Sequence, residues 1–141
     1  MGSGATLRVI RPSEYVPEAA SGAMMRQAAV SRSTVGAQKI WVGLVELGPG
    51  LRSAVHHHGE CESVIYVISG SARFYAGERL EVTEEAGAGD IVWVPPHAVH
   101  LEMNASRTEP VRMVVARSTQ ETLVFNLPTP AGFTPAKESV R

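Results

Sequence analysis

The sequence predicts an all-β domain, a sandwich or a barrel. Short runs rich in Val, Ile, Leu, Trp and Phe recur at close spacing from position 39 to position 126. Glycine and proline stand between them, most sharply at Gly48-Pro49-Gly50 and Pro95-Pro96. No stretch keeps a long helical period. Many short strands with turn chemistry between them belong to sandwiches and barrels. With 141 residues the chain reads as one domain able to bury its own core. It carries no internal repeat and no low-complexity segment.

Taken in order, residues 1–22 read as a leader. Residues 6–10 are a candidate strand, and PSEYVPEAASG is turn and loop chemistry because Pro12 and Pro17 oppose a helix. Residues 23–30 have helical composition but strand neighbours, and are assigned here as strand. Residues 39–47 (KIWVGLVEL) are a clear strand closed by the Gly-Pro-Gly turn. Residues 51–58 form the next, polar at its end. Residues 64–69 follow, stopped by Gly70. Residues 72–76 and 80–84 pair through a tight turn at Gly77-Glu78. Residues 86–90 form a loop. Strands follow at 91–94, 97–104 and 111–117, with a last candidate at 121–126. These divisions give a barrel domain over 23–126 and a proline-containing tail over 127–141, extended and disordered at its end.

Composition narrows the function. Charged residues make up 19% of the chain and the net charge is −1. That balance provides no basic footprint for nucleic acid or an anionic membrane. No apolar run has the length of a membrane span, and the first residues lack the apolar core of a secretory signal. Cys61 is the single cysteine, so no internal disulfide framework exists. A cytoplasmic protein is expected.

The five histidines fall in two patches, His56-His57-His58 and His97 with His100, each at the end of a predicted strand. Side chains alternate along a strand, so His56 and His58 share one face and His57 points away. Glu62 lies across a short turn. Two or three histidines with one carboxylate suit Fe, Mn, Ni or Zn, and leave coordination positions open. A mid-chain His run between strand signals does not read as a tag. Nor does it read as core, because alternation sends the middle imidazole to the opposite face.

Gly50, His56, His58, Glu62 and Gly70 resemble the first cupin motif, and Gly89, Pro95, His100 and Asn104 resemble the second. His97 stands where the second motif has glycine. Seven residues separate Glu62 from Gly70, where the family has six. Counting back from Gly70 therefore puts the glutamate position on Ser63, and counting forward from His58 puts it on Glu62. The resemblance implies a double-stranded β-helix (jelly-roll) barrel. It implies one divalent transition metal ion held by His56, His58, Glu62 and His100 in the barrel mouth, or by the three histidines alone. Glu60 is the other carboxylate within reach. It also implies a homodimer paired through edge strands, with 23–30 as the candidate.

Two further groups are candidates for catalysis. Glu102 follows His100 on its side and can act as a base or hold a water. Arg52, on the face of His56, can grip a substrate carboxylate or reach solvent. Tyr66, Phe74, Trp93, Met103 and Trp41 line the barrel or pack its core. Cys61 is a reactive thiol or a small buried residue. His97 is a substrate-facing rim group or a loop residue. The expected function is a metal-dependent enzyme, dioxygenase-like or a Lewis-acid isomerase or lyase, acting on a small oxygen-bearing molecule. The alternative is a binding or sensor module without turnover.

Overall fold

The computed structural model describes residues 5–121 and 123–135. Eleven strands and one helical turn run in the order β1 Val16–Glu18, β2 Met25–Val30, α1 Arg32–Val35, β3 Trp41–Leu47, β4 Val55–His57, β5 Ser63–Ser69, β6 Ser71–Ala76, β7 Val82–Gly87, β8 Ile91–Val94, β9 His100–Asn104, β10 Val111–Arg117 and β11 Phe125–Leu127. A 3-10 turn at Pro12–Glu14 precedes them. Two antiparallel sheets form, one of order β1-β2-β3-β10-β5-β8 and one of order β11-β4-β9-β6-β7. Their inner faces enclose a core of Val45, Leu47, Ile65, Val67, Phe74, Val111 and Met113. A smaller cluster of Val55, Tyr75, Leu80 and Leu101 fills the far end.

Alternation shapes most of the strands. β3 buries Trp41, Gly43, Val45 and Leu47, while the residues between them are half-buried. β5 buries Ser63, Ile65 and Val67 and exposes Val64, Tyr66 and Ile68. Inside β3, a Cβ on Gly43 would lie 2.3 Å from the Trp41 ring and 2.3 Å from the Gln27 carbonyl. The missing side chain is what lets the Trp41 ring lie back along its own strand.

The strand assignments at 23–30, 39–47, 64–69, 72–76, 91–94 and 111–117 agree with the structure to within a residue or two. Several others change. Residues 6–10 form no strand, whereas Val16–Glu18, read as loop, adds β1 at the sheet edge. An edge position tolerates Pro17 because its missing N–H faces outward. Residues 51–58 contribute only Val55–His57, plus an isolated bridge from Arg52 to Met103. Leu80, at φ 57°, closes the turn before β7, which therefore starts at Val82 and runs on into the expected loop as far as Gly87.

β2 is paired on both sides, with β1 and with β3, so residues 23–30 offer no free edge for a partner. The tail does not leave the body at residue 127. β11 pairs with β4, and the chain then turns so that Phe133 meets the Tyr75 ring edge-on at 5.2 Å. The end of the predicted tail, residues 136–141, lies outside the described residues.

Candidate metal centre

β4 and β9 pair at a single register point, His56 opposite His100. That pairing makes the two imidazoles neighbours across the sheet, with ring centroids 4.4 Å apart. The pleat returns the chain to the same face at His58, whose ring lies 4.8 Å from His56 and 5.4 Å from His100. His57 points the other way and stacks on Phe125.

One ring nitrogen from each of His56, His58 and His100 lies within 4.8 Å of those of the other two. In all three rings Nδ1 faces a backbone carbonyl: Ala54 at 2.7 Å, Leu123 at 2.7 Å and Ala98 at 2.8 Å. A nitrogen pointed at a carbonyl carries the proton. Nε2 of His56 and His58 is thus left free, its lone pair available to a cation, while Nε2 of His100 lies against the Glu102 carboxylate and becomes available once His100 gives up its second proton. Carbonyls that fix the tautomer and aim the ring are the usual support of metal-binding histidines. The donor set fits a divalent transition metal.

Glu102 completes the cluster. Its side chain is 5% exposed, and Oε1 lies 3.2 Å from His100 Nε2. Burial disfavours the carboxylate charge, but the hydrogen bond from His100 and the positive potential of the three imidazoles outweigh it and lower its pKa. At His100 burial is again opposed by Glu102, and the pKa rises. Burial lowers the pKa of His56, and with His56 as neighbour it takes His58 to about 4.

The structure does not bring Glu62 to the histidines. Its carboxylate accepts a 2.6 Å hydrogen bond from Trp93 Nε1 on the exposed face of the sheet. The inward slot of β5 belongs to Ser63, which is 4% exposed. Counting back from Gly70 gives the position that the strand actually presents. Glu60 is exposed as well. Arg52 bridges to Met103 and does not line the chamber in front of the histidines.

That chamber is lined by Trp41, Ser63, Glu102, Arg117 and the three histidines, among others, and has a free volume of about 30 Å³. Trp41 thus belongs to the interior. Tyr66 and Trp93, expected inside, are exposed on the outer face, because β5 and β8 present their even- and odd-numbered residues there respectively. Phe74 and Met103 pack in the two core clusters. Cys61 is buried beneath Ser118.

The second motif's residues act on the backbone. Asn104, fully buried, donates through Nδ2 to the carbonyls of Leu47, Gly48 and Glu109, and its Oδ1 accepts from Ser106 N. His97 has φ 61°, the conformation glycine adopts freely, and its N–H donates to the Gly59 carbonyl. A non-glycine residue there costs about 1–2 kcal/mol. The exposed ring stands 6.1 Å from His57, on the far side of the strand from the cluster.

Sequence reasoning missed Arg117 and the carbonyl of Leu123. Arg117 closes an ordinary apolar strand, and only sheet order brings it beside Trp41. The Leu123 carbonyl reaches His58 from 65 residues away, and a backbone acceptor leaves no mark on sequence.

Two antiparallel sheets with three histidines gathered at one point, from β4, the residue after it and β9, define the class of protein. The chain belongs to the cupin family: the Cupin domain model matches residues 43–117, more than half of its length. Comparison with curated proteins finds no match. Among solved structures, the chain is similar to a conserved double-stranded β-helix protein from Klebsiella pneumoniae. The TM-score is 0.67 and the identity 24%, over 87% of this chain and 99% of that one. It is similar to the polyketide cyclase RemF from Streptomyces resistomycificus, at TM-score 0.72 and 20% identity over 94% and 89%. A predicted oxalate decarboxylase from Thermotoga maritima matches at TM-score 0.65 and 19% identity, over 79% and 99%. Identities this low establish a shared fold.

Proposed function

We propose that this cupin is a metal-dependent enzyme acting on a small oxygen-bearing molecule bound in the barrel. The observation that carries the reading is the common orientation of His56, His58 and His100, each with Nδ1 held by a backbone carbonyl. An ion of iron, manganese, nickel or zinc would be held by their Nε2 atoms. When bound it would supply Lewis acidity toward a substrate oxygen or, for a redox-active ion, electron exchange with O2.

The chain's own residues supply the rest. Glu102 is the only carboxylate lining the chamber among the described residues. It offsets the charge of the cation, and it can take a proton from a substrate or return one. The walls of Val45, Ile65, Val94 and Val115 exclude bulk water from that transfer. The proteins of similar fold named above include a polyketide cyclase and a predicted oxalate decarboxylase, so the fold is compatible with enzyme activity on small molecules.

The test is turnover of candidate substrates, followed by product analysis and O2 uptake, in protein loaded with each ion in turn. Glu102→Gln is expected to keep its metal and lower turnover by about 10²–10⁴-fold. Stoichiometric metal with no turnover on any substrate would favour the second reading, a binding or sensor module. The chamber's small volume is the observation on that side.

A further inference from the structure

Ser63, Arg117 and Trp41 form one row across three adjacent strands. Arg117 of β10 is the register partner of Ser63 on β5 and of Trp41 on β3. All three are buried and face the chamber that holds the histidines. The Arg117 guanidinium lies over the Trp41 ring, with Cζ 4.0 Å from its centroid. Stacking uses the face of the guanidinium and leaves its in-plane N–H donors free.

Those donors have nothing to bond to. Nε, Nη1 and Nη2 of Arg117 are all buried and without a hydrogen-bond partner among the described residues, and so is Nε1 of Trp41. Buried charge is normally paired, because an unpaired one has lost its hydration with nothing in return. The other nearby cation is better matched: Arg26 donates through Nη2 to the Ala19 carbonyl and its guanidinium pairs with Glu18, although its Nε also lacks a hydrogen bond. Burial and the neighbouring Arg26 lower the Arg117 pKa to about 10, so the guanidinium is still charged at neutral pH.

The motif comparison explains the vacancy of acceptors. Position 63 is where the register places the family's glutamate, and serine stands there instead. An Arg117 beside a glutamate would have an internal partner; beside Ser63 it has none. No described residue supplies its partner, which leaves the place open to a ligand. We propose that the substrate is a small carboxylate whose carboxylate group pairs with Arg117 and Trp41 Nε1 in the space that Ser63 leaves open, with the rest of the molecule directed toward the three histidines. This inference rests on the proposed function for the second contact and on Arg117 for the first. A free volume of about 30 Å³ accommodates a planar group of a few atoms.

The experiment uses acetate as probe, acetamide as its neutral isostere and inorganic phosphate as the competing anion class. Binding is read from the fluorescence of Trp41 in a Trp93→Phe background and from the thermal midpoint, with metal content measured on the same samples. Saturable binding of acetate, at least tenfold tighter than acetamide or phosphate, is expected. It should be lost by tenfold or more in Arg117→Met with metal content unchanged. Arg117→Met should also raise the midpoint in the absence of acetate, because it removes an unpaired buried charge. A lowered midpoint would assign Arg117 a structural role and overturn the proposal. Equal binding of acetate and acetamide, preference for phosphate, or undiminished binding in Arg117→Met would overturn it too. These results are distinct from failure of the metal reading, which would appear as absent metal in a sample that still binds acetate through Arg117.

Discussion

At the residue scale, the site is set by which nitrogen of each imidazole is occupied. His56, His58 and His100 each spend Nδ1 on a carbonyl, and this makes their titration a stability variable. His58 has a folded pKa of about 4 against an ordinary 6.5, and His56 is lowered too. Between those values the unfolded chain takes up protons that the folded chain refuses, so acidification favours unfolding. His100, raised by Glu102, works in the opposite sense: its contribution is present below pH 6.5 and is lost as pH rises through its folded value. Glu102 matters only in stronger acid, since its lowered pKa keeps its contribution until pH falls below the ordinary 4.5. Two histidines thus oppose one. The metal-free protein is expected to melt at a lower temperature at pH 5 than at pH 7 in calorimetry, and a midpoint that rises on acidification would contradict this assignment.

The sequence brings His56, His58 and His100 together, as the structure does, but it puts Glu62 with them where the structure does not. Imidazoles at positions 56, 58 and 100 are rare residues at diagnostic spacing. Glu62 is a common residue just before a strand whose alternation is hidden, because Ile65 and Val67 line the core while Val64, Tyr66 and Ile68 make the outer face apolar too. With both faces apolar, the pattern cannot tell which parity is inward, and a one-residue shift moves every side chain across the sheet. Only Gly70 fixed the count correctly. At φ 85° with the Pro110 carbonyl 2.4 Å from where a Cβ would sit, that position admits only glycine and so marks the strand end reliably.

At the element scale, β3 and β10 carry the chamber's far wall. Trp41 can stack beneath Arg117 only because Gly43 has no side chain. Gly43→Ala is expected to cost about 1–3 kcal/mol in denaturant unfolding by overpacking, and to change the near-ultraviolet dichroism of Trp41. An unchanged spectrum and midpoint would mean that the ring has another way to lie. The strands themselves were largely legible, since their apolar runs are bounded by Gly and Pro. What was not legible was pairing. β1 and β11 are three residues each, too short to show a period. Yet β1 closes the edge that β2 would otherwise offer, and β11 leads on from the Leu123 carbonyl that holds His58.

At the scale of the whole molecule, one outer face of the barrel carries exposed apolar residues on paired strands. Register pairs Val64 with Trp93 and Tyr66 with Ile91, and all four are exposed, Ile91 at 68% and Trp93 at 63%. A contiguous apolar patch on paired strands is the kind of surface that a second copy covers. The homodimer that the cupin resemblance implies would use this face rather than the β2 edge, which is paired on both sides, and light scattering is then expected to give twice the monomer mass. Monomer mass at micromolar concentration, unaffected by Trp93→Glu, would remove that proposal. No helix among the described residues is long and apolar enough to cross a membrane.

The barrel exists to bring residues from distant parts of the chain to one point, and the account stands on what the three histidines hold there. The most direct measurement is elemental analysis of untagged protein after reconstitution with Fe(II), Mn(II), Ni(II) or Zn(II), beside His58→Ala and Glu62→Ala. One ion per chain is expected in the parent and in Glu62→Ala, with loss of at least tenfold in affinity in His58→Ala. No bound metal in the parent with any of the four ions, in protein that is folded by circular dichroism, would contradict the metal centre.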